Sequence, residues 1–407
     1  MVQIQGLKCF QCEKTYPSDS KFFRCPTCQV GLNAIYDYES ILESLFGNAI
    51  IRGEFRRISP YHWKYISFYP IEDVKKIVSM EEGGTPLIES PKIAQEIGCD
   101  ELYFKYEGAN PTGSFKDRGS TVEITRAIEQ NAKSVICAST GNMGASVAAY
   151  AAMAGIDCTI LIPNNIPDAK IAQIFAYGAK IIQIDTNSYY TVQKLSEEAA
   201  SEFGYFLLGD YIDRIEGEKS VGFEIIDQLE WKPPDYVICP IGTGTLIWAI
   251  WKAFLEFKEV GLIETLPKMI GVQAEGCAPV IHALKNNIID IVPEENPQTI
   301  ASAISVPDPI SGNGALIALK NSNGDGLAVA DEEIIQARIK LGKIGIFAEP
   351  SGAVSLAGLY RMQSEIDLHD KTVVCIITGH GLKDTLTGYD IQRSLIKPDI
   401  YALKDVL

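Results

Sequence analysis

The feature that most restricts the fold of this chain is a series of short, apolar, β-branched runs with helical patterns between them. "SVICA" (134–138), "CTILIP" (158–163), "KIIQID" (180–185), "DYVICP" (235–240), "MIGVQA" (269–274) and "TVVCIITG" (372–379) are the clearest. A strand that is apolar on both faces needs cover on both faces. Helices between successive strands supply the cover and the return path for parallel pairing. "MGASVAAYAAMAG" reads as such a helix, closed by Gly155. So do "DAKIAQIFAYG", with Asp168 near its N-cap, and the segment from Ser188 to Phe203, which leads to a short strand "YFLL". The alternation starts near residue 84 and predicts an α/β chain on mostly parallel sheets. Residues 38 to about 80 lack it, and their aromatic stretch "YHWKYISFYP" fits a helix and an extended arm packed on the main body.

At 407 residues the chain is too long for one core and predicts two or three domains. Its 52 acidic and 36 basic residues give a net charge of -16, which argues against nucleic acid or an anionic membrane as the main partner. A local pocket can still be positive. No apolar run is long enough to span a bilayer, and "MVQIQGLKCF" lacks the regions of a signal peptide, so a cytoplasmic location is expected.

In such a setting ten cysteines are thiols or metal ligands rather than disulfides. Four of them fall in "CFQCEKTYPSDSKFFRCPTC". Cys9 with Cys12 and Cys25 with Cys28 make two C-x2-C knuckles, the pattern of a zinc ribbon. The short spacing lets backbone N–H groups turn toward the sulfurs. Nothing nearby suggests a catalytic water, so the metal is expected to be structural. Lys8, Lys14, Lys21 and Arg24 are expected on its solvated surface.

In parallel α/β folds ligands collect beyond the C-terminal ends of the strands. Three loops there stand out. "STGNMGAS" offers Ser139, Thr140 and helix-opening amides to an anion, and Asn142 to a cofactor oxygen. "PIGTGTL" offers Gly242 and Gly244 for an inward nest of amides, with Thr243 and Thr245 as hydroxyl donors and a helix N-terminus behind them. It matches neither a nucleotide P-loop nor the dinucleotide spacing. "TGHGLKD" ends a buried strand with Thr378, whose hydroxyl suits a ring nitrogen. Alone, each loop also fits a structural turn or cap. Together with the lone Lys116 of "NPTGSFKDRG" they describe the needs of pyridoxal phosphate: a phosphate cup, a partner for the ring nitrogen, a partner for a ring oxygen and a lysine link. Partial burial suits that lysine, because it frees the amine lone pair.

These motifs, with "GGTPL", "RIEGEKS", "GVQAEG" and "EPSGAVSLAGL", make the chain resemble the threonine synthases within the tryptophan-synthase-like, fold type II pyridoxal-phosphate enzymes. The resemblance runs from about residue 80 onward, and a zinc-ribbon-like N-terminus also occurs in some members. It implies two parallel-sheet, three-layer domains behind a small zinc ribbon: residues 1–38 as the ribbon, 39–110 and 208–407 as the large domain, and 111–207 as the small one. It implies Lys116 as the Schiff-base residue, Phe115 against the cofactor, Asn142 at the ring hydroxyl, Gly242, Thr243, Gly244 and Thr245 around the cofactor phosphate, and Thr378 at the pyridine nitrogen. Thr85, Ser139 and Thr140 would lie near the substrate carboxylate, and Arg214 would bind the substrate phosphate. The chain departs from the family at Met143, where a hydroxyl residue is usual, at Leu208 and Gly209, where Asn-Ser is usual, and in a phosphate cup without Asn. Backbone amides, Arg214 and Lys219 would then have to hold the substrate phosphate.

The implied reaction converts O-phospho-L-homoserine and water to L-threonine and phosphate, by elimination at Cγ and addition at Cβ. Lys116 would move the protons. A β-replacement enzyme acting on O-phosphoserine or an activated serine (cysteate-synthase-like) and a serine or threonine dehydratase are the rival enzymes. A zinc-ribbon interaction protein with a decayed enzyme domain is the rival of another class. The intact Lys116 speaks against that last one. The resemblance also implies a homodimer.

Overall fold

The computed structural model describes residues 4–20, 22–47, 61–139, 141–164, 166, 168–384, 395 and 398. Its strands are β1 (Ile4–Cys9), β2 (Thr15–Tyr16), β3 (Leu32–Tyr36), β4 (Leu87–Glu89), β5 (Glu101–Tyr106), β6 (Ser134–Ala138), β7 (Asp157–Ile162), β8 (Lys180–Gln183), β9 (Phe206–Leu208), β10 (Tyr236–Pro240), β11 (Lys268–Ala274), β12 (Asp325–Val329) and β13 (Thr372–Ile377). They form three sheets, ordered β2-β1-β3, β12-β11-β10-β13-β5-β4 and β8-β7-β6-β9. The first is antiparallel. The third is parallel throughout. The second is parallel except where edge strand β4 runs against β5.

The apolar runs form the strands expected of them, and β10 is buried at every position. The helices between them end as the sequence suggests. Asn142–Ala154 closes on Gly155 in the left-handed region. Tyr189–Phe203 opens on Ser188, whose hydroxyl accepts from the Thr191 amide at 3.2 Å. The strand "ELYFKY" (β5) does not stand out as an apolar run, because Lys105 interrupts it. That lysine is fully buried, and its Nζ donates to Glu224 Oε2 at 2.7 Å, Gln228 Oε1 at 2.7 Å and the Thr85 carbonyl at 2.8 Å.

The segment after the first sheet holds the helix Tyr38–Gly47 and 3-10 turns at His62–Phe68 and Val74–Lys76. Residues 48–60 of the expected arm lie outside the described residues. The aromatic stretch packs as expected: Tyr65 and Phe68 meet Phe223 and Phe257 in the main core. The first sheet docks on the helix Thr245–Glu259, where Phe10 meets Trp248 edge-on at 5.1 Å and the Lys252 ammonium donates to the Ala34 carbonyl at 2.9 Å. One ribbon expectation is corrected. Arg24 is buried rather than solvated, because its Nε donates to Glu197 Oε1 of the Tyr189–Phe203 helix at 2.8 Å. Lys21 lies outside the described residues. Among the described residues no helix is long and apolar enough to cross a membrane.

Candidate active site

The segments that follow β6, β10 and β13 open on one cavity of about 510 Å³. Phe115, Lys116, Ser139, Asn142, Gly242, Thr243, Gly244, Thr245 and Thr378 all line it, and so does Met143. The loop bearing Lys116 is fixed from several sides. The Asp117 carboxylate turns back to accept from the Thr112 amide at 2.7 Å and from the Ser146 hydroxyl at 2.6 Å. Gly113 turns the chain at φ 86, where a side chain would be strained. The Phe115 amide donates to the Thr378 carbonyl at 3.1 Å, and the His380 amide to the Gly113 carbonyl at 2.9 Å. The lysine loop and the Thr378 loop are therefore one backbone-bonded unit. Lys116 opens the helix Lys116–Glu129.

The glycine loop is equally specific. Gly244 has φ 89, and a Cβ there would meet the Ser311 carbonyl oxygen at 2.4 Å. The Thr243 and Thr245 hydroxyls lie 3.0 Å apart at the start of the Thr245–Glu259 helix. Asn142 Nδ2 donates to Glu349 Oε1 at 2.8 Å. Ser139 Oγ accepts from the Gly144 amide at 2.8 Å and so caps the helix that Asn142 opens. The Thr378 hydroxyl is buried and has no hydrogen-bond partner among the described residues.

Three residues expected near the substrate do not reach the cavity or are not described. Thr140 lies outside the described residues. Thr85 is not among the lining residues. Its hydroxyl donates to Glu107 Oε1 at 2.7 Å and accepts from Arg118 Nη2 at 3.0 Å. Arg214 is fully buried behind the cavity wall, where it pairs with Glu123 and donates to the Lys116 carbonyl at 3.1 Å and the Gly209 carbonyl at 3.1 Å. Glu123 also accepts from the Gly209 amide at 2.8 Å, so the unusual Gly209 serves a buried carboxylate. Lys219 is buried too, held by Glu216 at 2.6 Å and Glu256 at 2.9 Å.

Other charged groups come to the cavity instead. Asp210 Oδ1 accepts from Lys116 Nζ at 3.0 Å, and Glu218 Oε1 lies 3.6 Å from the same nitrogen. Burial opposes ionisation of Asp210, but Lys116 and Arg214 outweigh it and hold the carboxyl below its usual range. Lys383 lines the cavity and donates to Gln173 Oε1 at 2.8 Å. Burial lowers its pKa against the pull of Glu349 and Asp117. Glu218 lies within "RIEGEKS" and Lys383 within "TGHGLKD", but neither motif marks a role for them. No sequence signal marked Asp210.

Away from this cavity, the Sγ atoms of Cys9, Cys12, Cys25 and Cys28 lie within 4.8 Å of one another. Cys12 Sγ is 3.7 Å from Cys25 Sγ, close to the edge of about 3.8 Å in a tetrahedron of metal–sulfur bonds about 2.3 Å long. The Gln11 and Cys12 amides point at Cys9 Sγ, each at 3.4 Å, as the knuckle spacing suggests.

Comparison with known proteins bears on the same residues. Residues 78–379 match the family model described as pyridoxal-phosphate dependent enzyme. The chain is 45% identical to a threonine synthase of Methanocaldococcus jannaschii over 98% of both chains. It is 40% identical to a threonine synthase of Methanosarcina acetivorans, again over 98% of both. Among solved structures it is similar to a maize serine racemase, with a TM-score of 0.63 and 25% identity over 73% of this chain and 88% of that one. The mixed α/β architecture with parallel sheets is that of the fold type II pyridoxal-phosphate enzymes. This chain is thus a pyridoxal-phosphate-dependent lyase that belongs to the threonine synthase family.

Proposed function

We propose that the enzyme forms L-threonine and phosphate from O-phospho-L-homoserine and water, with Lys116 as the lysine joined to pyridoxal phosphate. The residues present fit that cofactor. Among the described residues the Thr378 hydroxyl is orphaned and suits the ring nitrogen, and the Gly242–Thr245 loop lines the cavity at the start of the Thr245–Glu259 helix, with Gly244 seated where a Cβ would strike the Ser311 carbonyl. Phe115 and Asn142 line the same space. When bound, pyridoxal phosphate supplies the sink for the electron pair freed at Cα. Lys116, once its amine is free, takes the proton from Cα and moves protons at Cα and Cβ as phosphate departs and water adds. Asp210 holds its ammonium within hydrogen-bonding distance and orients it. Ser139 and the amides opening the Asn142–Ala154 helix suit the substrate carboxylate.

The observation that carries a phosphorylated substrate is Lys383. It shares the cavity with Lys116, its hydrogen-bond partner is the neutral Gln173, and no ion pair is found for it among the described residues. An arriving phosphate would restore the charge that burial disfavours. Arg214 and Lys219 are committed to buried carboxylates, so Lys383 is the better candidate for that group. The test incubates the protein with phosphohomoserine, phosphoserine and threonine in parallel and measures amino acids and phosphate. Equal amounts of threonine and phosphate from phosphohomoserine alone are expected. Phosphate from phosphoserine with no threonine made would favour β-replacement, and 2-oxobutyrate from threonine a dehydratase. Lys116→Ala is expected to lose the visible cofactor band and at least about 10⁴-fold in turnover. Light scattering on the same holoenzyme should give a dimer.

The four ribbon thiols suit one structural zinc ion. Metal analysis should return about one zinc per chain for this ligand count. Cys9→Ser with Cys25→Ser should lose it together with thermal stability. Full metal content in that double variant would refute the site.

A further inference from the structure

Lys116 faces two carboxylates, and they are built differently. Asp210 is hydrogen-bonded to Lys116 Nζ at 3.0 Å and lines the cavity. Glu218 ends the short helix Ile212–Glu218, is fully buried, and among the described residues has no partner at hydrogen-bond distance on either oxygen. Its Oε1 lies 3.6 Å from Lys116 Nζ and 3.7 Å from Arg214 Nη1. A buried carboxylate left without hydrogen bonds is unfavourable. A fold that needed only an anchor for the lysine already has one in Asp210.

We propose that Glu218 is a positioning residue that stores the proton of Lys116: the carboxylate accepts it when the amine must act as a base and returns it when the amine must act as an acid. The proposal rests on Lys116 as the acid–base group. On the outward leg an N–H bond of the ammonium breaks, its electron pair stays on nitrogen, and an O–H bond forms on Glu218. The return leg reverses both, and no other reactant is consumed.

The electrostatics agree. The titratable groups facing Glu218 are Lys116 from the Lys116–Glu129 helix, Asp210 and Arg214 from the chain leading into and along its own helix, and Cys239 from β10. Burial pushes Glu218 up to about 7, against the pull of Lys116 and Arg214. Asp210 is driven the other way. Two carboxylates beside one amine, separated like this, divide the work into a fixed anion and a group that exchanges protons near neutrality.

The test follows hydrogen–deuterium exchange at Cα of L-threonine by NMR, in D2O, on the holoenzyme across pH 5.5 to 9 (a range bracketing about 7). The wild type should show an inflexion near 7. Glu218→Gln should keep the visible cofactor band, lose the inflexion and slow exchange at least about 10-fold. Glu218→Asp should recover part of the rate with a displaced inflexion. An unchanged rate and profile in Glu218→Gln would overturn the proposal. So would an inflexion that persists there and moves instead in Glu123→Gln. Should Glu218→Gln fail to bind cofactor, the Glu218→Asp profile decides, and an inflexion in the wild-type position counts against the role. Exchange at Cα needs no leaving group, so it is read whether or not phosphohomoserine is turned over. A visible band retained in Lys116→Ala would instead overturn the reading of the site itself.

Discussion

Lys116 and Arg118 stand two residues apart on one helix, yet the buried charges around them are organised in opposite ways. Arg118 donates to Glu107 through Nε at 2.6 Å and Nη2 at 2.8 Å, and to Glu224 through Nη1 and Nη2, each at 2.7 Å. Lys105 adds a second cation to Glu224, the Gly84 amide a further donor at 2.8 Å, and Asn110 a donor to Glu107 at 2.9 Å. Two cations meet two carboxylates, and these four groups are hydrogen-bonded throughout. Burial opposes the charge of Glu224, but Arg118 and Lys105 overcome it and hold the carboxyl well below its usual range. Around Lys116 the count differs. Lys116 and Arg214 face Asp210, Glu218 and Glu123, and the Glu218 oxygens, though at ion-pair distance from both cations, have no hydrogen bond among the described residues. The contrast separates a cluster that holds the fold from one that keeps a proton movable. A fully paired network resists any change of charge, whereas an unbalanced one responds to it.

The largest effect is expected where the closed cluster is broken. Arg118→Met leaves Glu107 and Glu224 as buried carboxylates short of a cation, and should cost about 3–5 kcal/mol in urea unfolding. Glu218→Gln should behave differently. The folded-state pKa of Glu218 lies at about 7, above its ordinary 4.5, so its favourable contribution to stability is present below 4.5 and is lost as pH rises through 7. Glutamine does not titrate. The variant should therefore gain on the wild type by on the order of 3 kcal/mol between acid and mildly alkaline pH, measured as the difference in their melting curves. Equal damage from Arg118→Met and Glu218→Gln at pH 8, above that midpoint of about 7, would erase the distinction between the clusters.

A smaller effect is expected at Lys383 in the cavity wall. Lys383→Gln removes a cation whose hydrogen-bond partner is neutral and which forms no ion pair among the described residues, so Glu349 and Asp117 lose only a through-space attraction. Stability should barely change. The KM for phosphohomoserine should rise about 10- to 50-fold, equivalent to about 2 kcal/mol, with the cofactor band unmoved. A rise in KM for Arg214→Lys with none for Lys383→Gln would return the phosphate to the guanidinium that the resemblance favoured.

How much of this was legible in the sequence follows from the range of the interactions involved. Parallel strands such as β6, β7, β10 and β13 announce themselves because burial on both faces demands continuous apolar residues. The helix ends at Ser188 and Gly155 are set by one or two neighbours. The cavity residues Lys116, Asn142, Thr245 and Thr378 were visible because each follows a strand or a glycine turn, where backbone geometry is locally written. Strand β5 was hidden, because the carboxylate that balances the charge of Lys105, Glu224, lies 119 positions away. The position of Arg214 was hidden for the same reason, since Glu123 lies 91 positions before it. Glu218 looks like any charged residue in a polar run. Its isolation is a property of what the fold puts around it, and one sequence does not record that.

The smallest effect sharpens the comparison at a single atom. Thr378 shares with Glu218 a buried polar group that has no hydrogen bond among the described residues. If the hydroxyl is held for the ring nitrogen of the cofactor, its cost and its benefit fall in different states of the protein. Without cofactor, Thr378→Val removes an unsatisfied hydroxyl and keeps the side-chain shape. The cofactor-free variant should be as stable as the wild type, or up to about 1 kcal/mol more stable. With cofactor, the variant lacks one hydrogen bond worth about 0.5–1.5 kcal/mol, so affinity for pyridoxal phosphate should fall about 3- to 10-fold. Melting curves of both forms and a cofactor titration followed by absorbance measure the two changes. The signs should differ. A structural cap would behave the other way, with the cofactor-free protein losing stability and the affinity staying put. That result would leave Thr378 as part of the framework that Arg118 belongs to, and not of the site around Lys116.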